Sequence, residues 1–182
     1  DLEQSIIAQD FSIIDINSFV DFIIFNELIK NIDAYRLNTY LSFINNKFSI
    51  DYVWDFDLSC GAPFYNDGFS PKNFVINSDI KTALPYWWQI LWSSEDFQEK
   101  IKERYNYLRK NILSNDLLQN KVNEIYFANK ESMDLNFKKW EILKSEIWPN
   151  KFSFNTHKEE VDYLISWFEN RLIWLDSQWL PL

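Results

Sequence analysis

Residues 26–61 read NELIKNIDAYRLNTYLSFINNKFSIDYVWDFDLSCG, and the organisation of the chain turns on this stretch. From Arg36 to Ile44 the apolar pattern has a period of two, with Leu37, Thr39, Leu41 and Phe43 on one face and Tyr40 and Ile44 on the other. A turn at Asn45, Asn46 and Lys47 follows, and Phe48, Ile50, Tyr52 and Trp54 alternate again, which predicts a β-hairpin. Asp33 precedes the first strand, and Asp55 and Asp57 stand at the exit of the second. The hairpin's own geometry is therefore expected to bring these carboxylates face to face.

Upstream, Asp15, Asn17 and Ser18 offer N-cap oxygens to a helix predicted from Ile16 to Asn31. Phe22, Ile23, Ile24 and Phe25 would cover most of its circumference, so it should be central and buried. Glu27 and Lys30, near its end, have the i,i+3 spacing of an ion pair. Residues 1–14 show no clean period and read as an irregular lead-in, partly a strand.

Downstream, positions 59–84 hold both glycines together with Pro63 and Pro71, and read as a long loop, a candidate substrate or activation segment. After Pro85 the pattern is helical: Tyr86 to Trp92, then a helix capped at Ser93 or Ser94 with Phe97, Ile101, Tyr105, Leu108 and Ile112. A third begins at Ser114 or Asn115 and runs on toward Phe137 and Trp140, with Pro149 stopping a helical pattern that ends at Ile147 and Trp148. Thr156 and Glu159 form a capping box for a last helix carrying Val161, Leu164, Ile165, Phe168, Leu172 and Leu175. Most tryptophans fall on or beside these stripes, which favours core packing over a sugar-binding platform. The one histidine, His157, reads as a solvated helix start rather than a catalytic base.

The fold class is thus mainly α with a small β-hairpin, one domain over residues 1–182. A net charge of -9 without a basic patch argues against a nucleic-acid partner. The lone Cys60 rules out an internal disulfide, and no apolar run is long enough for a membrane span.

Asp33, Asn38, Asp55 and Asp57 are hard oxygen donors, suited to Mg²⁺ and poor for zinc. Asn38 follows Asp33 by five positions (38 - 33), the spacing of the Asp and Asn in the kinase catalytic loop H-R-D-x-x-x-x-N. Seventeen positions further on (55 - 38) comes Asp55-Phe56-Asp57, similar to the kinase D-F-G element with its glycine replaced.

NELIKNIDAYRLNTY followed by VWDFDLSCG resembles the core motif of the CotH kinase family, the spore-coat-protein-H-like atypical protein kinases. PYWWQILWSSEDFQEKIKERYNYLRKNIL and EEVDYLISWFENRLIWLDSQW are similar to that family's C-terminal helices, so the resemblance covers nearly the whole chain from about Asp15. It implies a protein-kinase-like C-terminal lobe that transfers the γ-phosphoryl of ATP, with Mg²⁺, to Ser or Thr of a basic, Ser-rich protein substrate. Carried over, Asp33 is the catalytic aspartate and Asn38 and Asp55 are metal ligands, with Asp57 a second carboxylate. Lys30 or Arg36 could add positive charge at the phosphates, with surface ion pairing the favoured alternative for each. The resemblance also implies a spore-coat, cell-surface or secreted setting.

A kinase further needs a glycine-rich phosphate loop, a lysine and its glutamate partner. Both glycines here follow the catalytic stretch, and Asp1 is no initiator, so the nucleotide-covering lobe is expected upstream. The rival expectation is a catalytically silent binding or structural module on a kinase-like scaffold. A two-carboxylate hydrolase leaves Asn38 without a role.

Overall fold

Asp15 starts the helix on which the molecule is assembled. In the computed structural model, which describes residues 2–78 and 83–180, α2 spans Ile16–Ile29. The Asp15 carboxylate accepts from the Asn17 and Ser18 amides at 3.1 and 3.4 Å. At the far end Lys30 takes the left-handed conformation (φ 49°) and closes the last turn on the Asn26 and Glu27 carbonyls. Phe19, Val20, Phe22, Ile23, Ile24 and Leu28 are buried, so α2 is hydrophobic nearly all round, as its sequence predicts. Burying each such side chain in full is worth roughly 1.5–3 kcal/mol. Trp88 forms the centre of the packing: its ring stacks on Phe22 at 5.7 Å and meets Tyr35 edge-on at 5.0 Å, while its Nε1 donates to the Tyr35 carbonyl.

The lead-in before α2 is not a strand. It forms α1 (Leu2–Ile7) and a short 3-10 turn, Phe11–Ile13. Leu2 and Ile6, one helical turn apart, bury against α3 (Trp87–Ser93), a spacing hidden by the acidic residues between them.

The hairpin is present but short: β1 (Ser42–Ile44) pairs with β2 (Lys47–Ser49), in register Ser42↔Ser49, Phe43↔Phe48, Ile44↔Lys47. Asn45 and Asn46 both have positive φ (53° and 60°), the type I′ geometry of a two-residue turn. The alternation up to Trp54 does not extend the strand, because α2 competes for its backbone. The Ile50 amide donates to Ser18 Oγ and the Asp15 amide to the Phe48 carbonyl. Asp55 therefore lies six residues beyond the strand end (55 - 49) rather than at it.

The helical half follows the sequence closely at its starts. α4 covers Glu95–Asn111 with Phe97, Ile101 and Tyr105 buried. α5 (Asn115–Lys139) is capped by Ser114, and α6 (His157–Trp179) opens on the Thr156–Glu159 capping box. The expectation of helix up to Trp148 fails: α5 ends at Lys139, and the chain beyond it pairs elsewhere, with Lys144 N–H bonding the Phe154 carbonyl, Phe64 N–H the Pro149 carbonyl and Lys151 N–H the Ala62 carbonyl. Nor is His157 a solvated start. Its ring lies between Tyr126 and Phe137 of α5, 5.2 and 5.1 Å away. Trp87, Trp88, Trp167 and Trp179 are core residues, whereas Trp54, Trp140 and Trp148 are exposed.

Long loops carry many backbone carbonyls, and burying them demands donors. The described part of the 59–84 loop (79–82 lie outside the described residues) meets that demand with two buried cations. Arg171 of α6 donates to the carbonyls of Glu27, Pro71 and Asn73. Lys30 Nζ has the carbonyls of Asp67, Ser70 and Lys72 and Asp67 Oδ2 within 2.6–3.1 Å. Glu27 completes the clamp, accepting from the Val75 and Ile76 amides, from Tyr35 Oη and from Arg171. The expected Glu27–Lys30 pair is thus replaced by Glu27–Arg171 and Lys30–Asp67.

Candidate active site

The site is assembled where the end of α2 meets the chain leaving the hairpin. The Cys60 amide donates to the Ile29 carbonyl at 2.7 Å and the Ile32 amide to the Leu58 carbonyl at 3.2 Å, an antiparallel contact of two short segments. This contact, rather than the hairpin, sets Asp33 beside Asp55 and Asp57.

Buried amides reinforce it. Asn31, fully buried, donates through Nδ2 to Asn26 Oδ1 and to the Asp55 carbonyl, both at 3.2 Å, and its Oδ1 accepts from the Asp33 amide. Asn38 Nδ2 reaches the same Asp55 carbonyl at 3.2 Å. One carbonyl thereby joins the Asp33–Asn38 loop to the Asp55–Asp57 loop. Phe56, between the two acidic residues, packs edge-on against Phe25 of α2 at 5.3 Å and anchors this loop to the core.

Both loops are bent tightly. Tyr35 and Asp55 have φ values of 68° and 59°, a left-handed conformation that a bulky Tyr adopts only when its surroundings impose it. For Tyr35 the imposing contacts are Trp88 and the Glu27 carboxylate.

The electrostatics follow from this crowding. Lost hydration, then Asp57 and Asp33, push the Asp55 carboxyl above the usual carboxylate range. Tyr65 is likewise pushed up, by burial first and then by Asp33 and Asp57, which puts its phenol at the rim of the same acidic cluster. Its ring lies parallel to that of the exposed Trp148, 6.3 Å away. Arg36 pairs with Asp33 at 3.2 Å. Lys30 is buried with its ammonium engaged by the loop, so it offers no charge to a phosphate at this surface.

The structure thus brings together Asp33, Arg36, Asn38, Asp55 and Asp57, and leaves Lys30 out. Sequence reading missed Asn31, Asn26 and Tyr65. The amides had a signal, since Asn26 and Asn31 interrupt an otherwise apolar run; Tyr65 had none.

A family model described as CotH kinase protein matches residues 4–175. The chain belongs to this family. No curated protein and no solved structure gives a match. In this CotH kinase family member the D-x-x-x-x-N and D-F-D elements are the two loops joined at the Asp55 carbonyl. Among the described residues no group of three or more His, Cys, Asp or Glu side chains is arranged to hold a metal ion. Mg²⁺ does not require one: it is commonly held by one or two carboxylates plus substrate phosphates. Asp55, crowded by like charges, and its neighbour Asp57 are the carboxylates here that could hold such an ion. No helix among the described residues is long and apolar enough to cross a membrane.

Proposed function

We propose that this CotH kinase family chain is the C-terminal, catalytic half of a protein-kinase-like enzyme that transfers the γ-phosphoryl of ATP to a Ser or Thr hydroxyl of a protein, with Mg²⁺. The observation that carries the reading is the shared Asp55 carbonyl, which holds Asn38 of one motif against the loop of the other. Asp33 accepts the proton of the attacking hydroxyl as its oxygen bonds to the γ-phosphorus and ADP leaves. Arg36, paired with Asp33 at 3.2 Å, orients its carboxylate toward the substrate hydroxyl. Asp55, with Asp57 and Asn38, would hold Mg²⁺, which supplies charge neutralisation on the phosphates. Asn31 positions both loops without touching a reactant. Under this reading the glycine-rich loop and phosphate-binding lysine belong to a separate lobe of the parent protein.

The test is Mg-ATP-dependent phosphorylation by the full-length parent. Asp33→Ala and Asp55→Ala are each expected to lower kcat at least a hundredfold, in line with a general base worth about 10²–10⁴. Unchanged turnover in both would sink the assignment.

The exposed rings of Trp148, Trp54 and Tyr40 favour a second reading, a silent module that binds a partner through aromatic surface. Calorimetry separates the two, since such a module keeps its ligand when Asp33 and Asp55 are replaced.

A further inference from the structure

A concavity lies on the segment that follows the Asp55–Asp57 loop in the chain. It is a cavity of about 210 Å³ with a floor formed by residues 59–62. Its walls include Phe152, Phe154 and Tyr163, whose rings lie 5.3–6.5 Å from one another. Tyr163 Oη donates to the Gly61 carbonyl, which ties the wall to the floor. Gly61 has φ +82°, and a Cβ there would sit 2.4 Å from the Trp167 ring and 2.7 Å from Tyr163 Oη, so the floor can approach the wall only because this residue is glycine.

Glu160 is the one acidic residue lining the cavity. It is half-buried, its carboxylate has no hydrogen-bond or ion-pair partner among the described residues, and burial pushes that carboxyl up. Two lysines close to Glu160 in sequence are engaged elsewhere: Lys158 pairs with Asp162, and Lys151 lies over the Phe69 ring. His157 and the first turn of α6 supply partial compensation only. A carboxylate withdrawn from water without a cation is costly, and three aromatic walls with one acidic group are the chemistry that receives an organic cation. The volume suits one side-chain-sized group and is below the roughly 300 Å³ at which drug-sized sites begin.

We propose that this pocket binds an alkylammonium or guanidinium group, held by the Glu160 carboxylate and the faces of Phe152, Phe154 and Tyr163. Such a group can come from a free amine or from a Lys or Arg side chain of a peptide. In the peptide case the pocket, adjoining the loop of Asp55, selects a basic residue near the acceptor hydroxyl; that arm rests on the kinase reading, whereas cation binding does not.

The test is an NMR titration with two probes, tetramethylammonium chloride against matched NaCl, and a capped pentapeptide with central lysine against its Nε-acetyl-lysine counterpart. Saturable shifts at residues 59–62 and 160–164 are expected with both cations, and about tenfold weaker binding of the acetylated peptide and of both cations to Glu160→Gln. Because the acetylated comparison uses the unaltered protein, it stands even if the variant misfolds. Equal saturable binding of the charged and acetylated peptides, or the absence of saturable binding by both tetramethylammonium and the lysine peptide, overturns the proposal. Tetramethylammonium binding alone assigns the pocket to free amines, and tighter peptide binding assigns it to a basic segment. Asp33→Asn should leave both titrations unchanged, so a failed phosphorylation assay with intact cation binding refutes the kinase reading and not the pocket.

Discussion

Asn31 carries more of the site's geometry than any of the acidic residues. Its amide is fully buried and bonded at both ends, so truncation takes the Asn31 partner from the Asp33 amide and from Asn26 Oδ1 and leaves the Asp55 carbonyl with Asn38 alone. Asn31→Ala is expected to lower unfolding free energy by about 1–3 kcal/mol, read from urea midpoints, and, under the proposed kinase function, to reduce kcat more than KM in the full-length parent. Cys60 offers a second residue-level test. Burial pushes its thiol from the ordinary 9.0 up to about 11. A raised pKa favours the folded state fully below 9.0, and that contribution drains away as pH rises toward 11. Alkylation of Cys60 by iodoacetamide should accordingly stay slow through pH 8–9 and accelerate only near pH 11; a rate that levels off by pH 9.5 would refute it.

Between elements, the joins are polar while the faces are apolar. α6 begins at a complete capping box, with Thr156 Oγ1 accepting from the Glu159 amide at 3.2 Å and the Glu159 carboxylate accepting from the Asn155 and Thr156 amides. Thr156→Ala should cost about 1 kcal/mol in thermal or denaturant unfolding. Because α5 has no buried residue of its own and rests on α6, the same change should raise hydrogen exchange along α5. The box was legible from two residues at fixed spacing. The length of β2 was not, since Ser18, thirty-two residues away, takes the Ile50 amide and ends the ladder.

At the scale of the molecule, Arg171 is the joint between α6, α2 and the long loop. It is entirely buried, and burial lowers its pKa to about 10, which leaves it cationic at neutral pH opposite Glu27. Arg171→Met should cost about 3–5 kcal/mol, because Glu27 is left as an unpaired buried charge and the carbonyls of Pro71 and Asn73 lose their donor. The double variant Glu27→Gln/Arg171→Met should recover part of that loss, measured by thermal unfolding. The starts of α2 through α6, the buried character of α2, the existence and turn of the hairpin, and the order Asp33, Asn38, Asp55 were determined by the sequence alone. Each rests on local spacing, capping chemistry or periodicity, which neighbouring residues settle among themselves. The pairing of 29–32 with 58–60, the replacement of Glu27–Lys30 by two long-range ion pairs, the end of α5 at Lys139 and the role of Asn31 were decided only by tertiary structure. In each of these a backbone or charged group had partners on offer both nearby and far along the chain. The distant partner won because it satisfied a group that burial had cut off from water.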